Sequence, residues 1–179
     1  MSSIVLSGDT SGAVTVNVPS VAGTNTVTIP AVTGTVMVSS NMPAFSAYSS
    51  SSATIATSAF TKVPYQTKNF DTNNYFDATT NYRFTPLIAG YYQFNASVAY
   101  AANNIQGLIS IYKNGSENIR GSFCYGGNNG CGFTASGLIY MNGSTDYVEA
   151  YAYQTSGAGQ ATAAVSYVTY FNGAMIRSA

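Results

Sequence analysis

The chain has 179 residues, of which 46% are hydrophobic, only 7% are charged and none is histidine. Typical domains carry about a quarter charged residues, so the polar surface here must consist mainly of Ser, Thr, Asn and Gln. A net charge of zero without any basic run argues against nucleic acid or an anionic membrane as a partner. A surface with so little charge favours a permanent assembly over a monomer.

The residue types that carry catalysis are sparse. Without histidine the commonest general base and metal ligand is missing, and neither cysteine has a partner for a thiol–imidazole pair. Several of the six acidic residues fall in turns, where carboxylates usually cap the backbone. No glycine-rich phosphate loop follows a strand and opens a helix. We therefore expect a protein that is not an enzyme and uses no cofactor or metal.

Residues 1–42 are predicted to be a β-rich N-terminal segment that anchors the protein. They contain no aromatic residue, and residues 16–24 match residues 27–35 at an offset of 11. Each copy reads as a short β-branched strand stopped by proline and followed by a glycine turn. Two copies cannot bury a core alone, so they must pair with other chains or with a partner surface; the alternative is a loosely ordered tail. The predicted attachment residues are Val16, Val18, Val27 and Ile29.

Residues 43–179 are predicted to form one globular domain made only of strands. Strands recur about every ten residues with turns between them, and no amphipathic helix pattern of useful length appears. Asn114-Gly115 and Asn142-Gly143 are hairpin signals, because type I′ turns need positive φ at both central residues. The pattern predicts a sandwich or jelly roll. The predicted strands lie in 43–48, 54–64 around Phe60, 92–100, 108–112, 138–141, 147–153 and 165–176.

The clearest strand follows Pro86 and Gly90, which we interpret as the end of the preceding strand and a turn. Apolar residues occupy the even positions from Tyr92 to Tyr100, and Gln93, Asn95 and Ser97 occupy odd positions between them. This alternation is typical of a strand with one buried face.

The strand at 147–153 separates small residues from tyrosines. Its even positions carry Val and Ala, whereas Tyr147, Glu149, Tyr151 and Tyr153 share the other face. Small residues suit a tight core, and tyrosines suit a subunit interface because they bury area while keeping a polar tip. The alternative is an ordinary solvated face.

The two cysteines flank a turn signal. If Gly127 and Asn128 form the tip of a hairpin, Cys124 and Cys131 lie opposite each other and a cross-strand disulfide can form after exposure to an oxidising medium. The alternative is a pair of reduced thiols.

Residues 43–179 resemble the globular head of complement component 1q and its tumour-necrosis-factor-like relatives, in the form found in bacteriophage virion proteins. The resemblance rests on the spacing Phe84-x5-Gly90-x-Tyr92-x-Phe94 and on Phe171-x-Gly173 near the end. Ala96 stands where the family usually has an aromatic residue, and no collagen-like stalk precedes the domain. Instead, residues 8–16 and the repeat look like N-terminal segments of phage virion proteins.

The resemblance implies a jelly-roll β-sandwich of about ten antiparallel strands that assembles as a homotrimer. It also implies that Tyr and Phe side chains line the threefold axis. The predicted core or trimer-interface residues are Phe84, Tyr92, Phe94, Tyr147, Tyr151, Tyr153 and Phe171.

These observations predict a non-enzymatic virion structural protein on the particle surface, made in the host bacterial cytoplasm. Its partners are two further copies of itself and, through residues 1–42, other virion proteins. The short chain leaves little length for a tail-fibre shaft, which favours capsid decoration or a short head fibre. The alternative is the receptor-binding tip of a tail fibre that binds a host-surface polysaccharide. A signal peptide and an apolar run long enough to span a membrane are both missing from the sequence, so no membrane partner is expected.

Overall fold

The computed structural model describes residues 3–29, 31–34, 36–125 and 131–179. The chain divides into two compact units, residues 1–34 and 35–179. The second unit contains the whole hydrophobic core, which Met37 joins from the start of that unit.

The first unit contains one antiparallel hairpin, formed by β1 (Ser3–Ser7) and β2 (Ala13–Asn17). The turn closes with a hydrogen bond from the Gly8 amide to the Gly12 carbonyl, and Gly12 has φ 77°, which glycine adopts without a steric cost. From Ile4 onward every side chain described in this unit is exposed. The hairpin therefore buries nothing within its own unit.

The second unit opens with a short 3-10 helix over Ser39–Asn41 and is otherwise built of strands. In chain order these are β3 (Ala44–Tyr48), β4 (Thr54–Ile55), β5 (Thr61–Lys62), β6 (Thr67–Asp71), β7 (Phe76–Asp77), β8 (Arg83–Phe84), β9 (Ala89–Tyr100), β10 (Gln106–Lys113), β11 (Ser116–Arg120), β12 (Cys124–Tyr125), β13 (Cys131–Asn142), β14 (Val148–Gln154), β15 (Gln160–Ala161) and β16 (Tyr170–Ser178).

Two antiparallel sheets make the sandwich. The first has five strands in the order β13-β9-β16-β3-β6. The second has the order β11-β10-β14-β8-β7, with β12 paired to β10 and β5 paired to β14. A small two-stranded sheet joins β4 to β15. The predicted all-β jelly roll is confirmed.

The core lies between the inner faces of the two sheets and is rich in aromatic rings. Phe45 on β3 stacks on Phe84 of the opposite sheet with ring centroids 4.4 Å apart, and its edge contact with Phe171 is 5.1 Å. The alternation predicted along β9 is confirmed as far as Ala96, because Tyr92, Phe94 and Ala96 are buried while Gln93 and Asn95 are partly exposed. From Ser97 to Tyr100 both faces of the strand are buried, so the predicted exposure of Ser97 is wrong.

The Asn114-Gly115 turn is confirmed and the Asn142-Gly143 hairpin is wrong. Asn114 and Gly115 have φ 52° and 77° and join the paired strands β10 and β11. Asn142 instead ends β13 in one sheet, and the chain crosses to β14 in the other. The Asn142 Oδ1 accepts hydrogen bonds from the amides of Ser144, Thr145 and Asp146, so the asparagine serves as a cap for the crossing.

Three other local expectations need correction. Gly90 lies inside β9 rather than in a turn, and an added Cβ there would lie 2.5 Å from the Arg177 carbonyl oxygen. Phe60 lies between two short strands instead of within one. The last strand begins at Tyr170, because residues 165–169 form a turn in which the amides of Val168 and Thr169 bond to the Val165 carbonyl.

Gly173 is predicted to be the position of β16 that tolerates a side chain least. An added Cβ would lie 2.5 Å from Cδ1 of Phe94 and 2.9 Å from the Gln93 carbonyl oxygen. We expect Gly173→Ala to lower the free energy of unfolding by about 1–3 kcal/mol, because the Phe94 ring must move out of its packed position. Chemical denaturation followed by fluorescence measures this.

Gly132→Ala is the matched control, since the nearest atom to a Cβ there is 3.9 Å away. This variant should be as stable as the wild type. Equal stability of both variants and the wild type would contradict the packing described for Phe94.

Candidate interaction surfaces

The sequence-predicted aromatic residues fall into two groups. Phe84, Tyr92, Phe94 and Phe171 are fully buried inside the single chain, where their rings contact one another. Tyr147, Tyr151 and Tyr153 lie half-buried on the outer face of the second sheet. A role of either group in a trimer interface stays a prediction.

The three tyrosines are engaged by neighbours of their own chain. The Tyr151 ring lies 4.3 Å from Tyr112, and the Arg83 guanidinium covers the Tyr147 ring at 4.4 Å. Tyr153 packs against Phe60, which folds over this face with a centroid distance of 5.2 Å. We call this outer face, with Tyr147, Tyr151 and Tyr153, the tyrosine face. Much of it is therefore in contact with side chains of the same chain.

A buried carboxylate lies among these rings. Glu149 is 3% exposed and pairs with Lys62 at 2.5 Å, while the Tyr151 hydroxyl donates to its other oxygen at 3.2 Å. Burial and the nearby Glu149 charge raise the pKa of Tyr151 to about 12, because both disfavour a phenolate there. Both carboxylate oxygens of Glu149 therefore have partners within the chain.

The outer side of the five-stranded sheet, which we call the five-strand face, is different. Its centre is a chain of uncharged hydrogen bonds from Gln93 to Ser136, from Ser136 to Asn95 and from Asn95 to Asn172, with lengths of 2.9, 2.7 and 2.9 Å. These bonds connect side chains on three strands, β9, β13 and β16.

Large apolar side chains flank this polar centre. They belong to β6, β9, β13 and β16, and each is at least 39% exposed. A shallow groove of about 350 Å³ runs between them along β3 and β16. An exposed apolar surface of this extent marks an interaction site more often than ordinary solvent contact. The residues are Phe70, Tyr91, Leu138, Tyr140 and Ile176.

A second surface is an aromatic cleft of about 400 Å³ at the end of the tyrosine face. It is lined by Phe60, Leu108, Arg120, Phe123 and Tyr153. Arg120 is held by Glu117, whose Oε1 accepts from the guanidinium Nε at 2.7 Å. The cleft thus combines flat apolar rings with a fixed cation at its rim.

A third groove, about 520 Å³, surrounds the loop after β7. Asp77 holds this loop by accepting from the amides of Thr79, Thr80 and Asn81, and these bonds keep the pKa of its carboxyl well below the usual range. Lys68 at the edge is bonded to Asp71 and Asn74. The Asp77 carboxylate and the Lys68 ammonium group are thus engaged in hydrogen bonds within their own part of the chain.

The side chains of Cys124 and Cys131 lie outside the described part of the structure. Their backbones pair in different sheets: Cys124 lies opposite Gly107 on β10, and Cys131 lies opposite Tyr100 on β9. The intervening residues 126–130 also lie outside the described residues. The disulfide stays a prediction.

Searches of protein-family models and of curated proteins find no match to the sequence. Solved structures do match. The globular domain of zebrafish complement 1qA has a TM-score of 0.52 at 17% identity, covering 76% of this chain and 99% of that one. Murine APRIL has a TM-score of 0.56 at 11% identity, covering 75% and 99%. The PRD1 vertex protein P5 has a TM-score of 0.52 at 16% identity, covering 75% and 96%.

Identities this low show the fold alone. The second unit has the jelly-roll fold shared by complement 1q heads and tumour-necrosis-factor-like proteins, and a phage vertex protein has that fold too. The resemblance predicted from the sequence is confirmed at this level. Among the described residues no helix is both long and apolar enough to cross a membrane.

The Lys62–Glu149 pair gives a direct test of the tyrosine face. We expect Lys62→Met to lower the free energy of unfolding by about 1–3 kcal/mol, because it leaves a buried carboxylate without its cation. Adding Glu149→Gln to that variant should recover part of the loss. Urea denaturation at pH 7 measures both. A Lys62→Met protein as stable as the wild type would contradict the pairing.

Proposed function

We propose that this chain is a non-enzymatic structural protein of a phage particle, displayed on its surface as a homotrimer. The head is the jelly-roll unit, and residues 1–42 attach it to the particle through other virion proteins. Within the particle we favour capsid decoration or a short head fibre. The observation that carries the proposal is the five-strand face, which has an uncharged polar centre flanked by exposed apolar side chains, on a fold that a phage vertex protein shares.

The five-strand face suits a permanent subunit contact. Full burial of a large apolar side chain contributes roughly 1.5–3 kcal/mol, so covering even part of this set can hold subunits together. Tyr91 and Tyr140 pack at 5.5 Å and offer area with a polar tip, as interface tyrosines do. Two cations, Arg177 and Lys113, lie near these rings at 5.7 and 5.6 Å, at the edge of the face.

The attachment role of residues 1–42 rests on their exposure. Val27 and Ile29 are 90% and 87% exposed, and Val16 and Val18 are each about half exposed. β-branched side chains left in water at this density need a partner surface. The segment carries one charged side chain, Asp9, so its attachment does not depend on ion pairs.

Leu138→Asp tests the assembly. We expect it to reduce the solution mass from three chains to one, because a carboxylate would be buried in a neutral contact without a partner. Leu87→Asp is the matched control: Leu87 is 60% exposed against 56% for Leu138, but it lines the groove beyond β8. Light scattering after size exclusion gives both masses. Trimers from both variants would contradict the five-strand face as the contact.

Labelling of intact particles with an antibody against residues 43–179 tests the location. We expect signal over the capsid. Signal confined to the tail tip would overturn capsid decoration and would favour the second candidate function.

That second candidate is receptor binding, in which the head binds a host-surface polysaccharide. The aromatic cleft favours it, because sugar rings stack their apolar faces on aromatic side chains while their hydroxyls need donors and acceptors. Phe123 supplies an exposed ring, and Arg120 and the Tyr153 hydroxyl supply polar groups.

Phe123→Ala tests the cleft. We expect saturable binding of the protein to host-cell polysaccharide to weaken about tenfold, equivalent to about 1.4 kcal/mol of stacking. Tyr167→Ala, which removes an aromatic ring 80% exposed elsewhere, should leave binding unchanged. The wild type failing to bind at micromolar concentration would overturn this candidate function.

A further inference from the structure

The N-terminal hairpin has one apolar face. The register places Ile4 opposite Val16 and Leu6 opposite Val14, so these four side chains lie on the same side of the two strands. Thr15 and its partner Val5 point to the other side. The four apolar side chains are 54–66% exposed, so the hairpin is an amphipathic ribbon with its apolar side uncovered.

The residues after the hairpin extend this apolar character. Val21, Val27, Ile29 and Val32 are 75–90% exposed. In the sequence, Gly23 and Pro30 divide this stretch into short runs. Beyond Asn17 the described residues of this unit form no strand, so their backbone donors and acceptors lack a ladder within the chain. A strand from another molecule could supply one.

The sequence repeat indicates which molecule supplies the partner strand. Residues 16–24 and 27–35 present the same order of β-branched residues, proline and glycine at an offset of 11. A surface that repeats along its length is matched best by a partner that repeats with the same spacing. A second copy of this segment meets that condition by construction, and its near absence of charge removes any repulsion between identical chains.

We propose that residues 4–29 of three chains pack their apolar faces together and form a threefold β-stem. The apolar side chains of this segment are therefore buried first against other copies of the chain. The assembled stem then makes the contact with another virion protein. The inference rests on the proposed homotrimer in that three chains are taken to supply the stem.

The test is the stability of the full-length assembly against dilution. Residues 35–179 contain the complete core and serve as the reference without a stem. We expect the wild type to dissociate at a protein concentration at least about tenfold lower than residues 35–179 do. Val16→Asp should dissociate at the concentration found for residues 35–179. Thr15→Asp, the same substitution one residue away on the opposite face, should match the wild type.

Sedimentation velocity over a dilution series distinguishes the outcomes. If the wild type gains nothing over residues 35–179 while both are trimers, the stem is overturned and the proposed homotrimer stands; the segment then binds another virion protein. If only the full-length chain is a trimer, the stem stands and the five-strand face is overturned as a sufficient contact. If Val16→Asp and Thr15→Asp weaken assembly equally, the apolar face is not the packing surface. A wild type that is monomeric throughout overturns both proposals.

Discussion

The fold depends on a continuous stack of aromatic rings between the two sheets. Phe45 contacts Phe84 and Phe76 across the sandwich at 4.4 and 4.9 Å, and contacts Phe171 within its own sheet. Each such pair contributes about 0.5–1.5 kcal/mol beyond the area it buries. Small residues make room for the rings: Gly173 lets Phe94 lie close to β16, and the alanines of β14 face the same space. The alternation of large and small residues fixes the spacing and register of the strands.

The distribution of charge supports the assembly that we propose for this surface. Four of the six cations pair with four of the six acids within the chain, and Glu149 and Asp146 are buried in those pairs. Little charge is left to keep copies apart or to attract a charged ligand. The polar side chains of the five-strand face bond to one another, which lowers the cost of covering them with a neighbouring subunit.

Sequence reasoning recovered the parts of the fold that depend on local pattern. Alternation along β9 identified a strand with a buried face, and Asn114-Gly115 identified a hairpin because the required φ values are a local property. It missed what depends on nonlocal contacts. Asn142-Gly143 carries the same hairpin signal, but its flanking strands pair in different sheets. Gly90 was interpreted as a turn, although the close approach of the β16 backbone is what requires glycine there.

The candidate surfaces were predicted less well for the same reason. The tyrosines of β14 share a face as expected, yet Phe60 comes from a distant loop to cover them, and no pattern in β14 encodes that. The five-strand face was missed because its apolar residues are spread over four strands, one or two on each. Leu138 and Ile176 come to lie on one face, on either side of β9, only through the sheet order. The N-terminal repeat, by contrast, is visible in the sequence. Its exposure could be predicted because two short copies cannot bury a core by themselves.

The central claim is that three chains assemble through exposed apolar surface. Native mass spectrometry of the wild-type protein tests it most directly. The account predicts a species of three chains, which for a chain of 18.7 kDa is about 56 kDa. A single species of 18.7 kDa at micromolar concentration would contradict it, and the exposed apolar surface would then need a partner other than the chain itself.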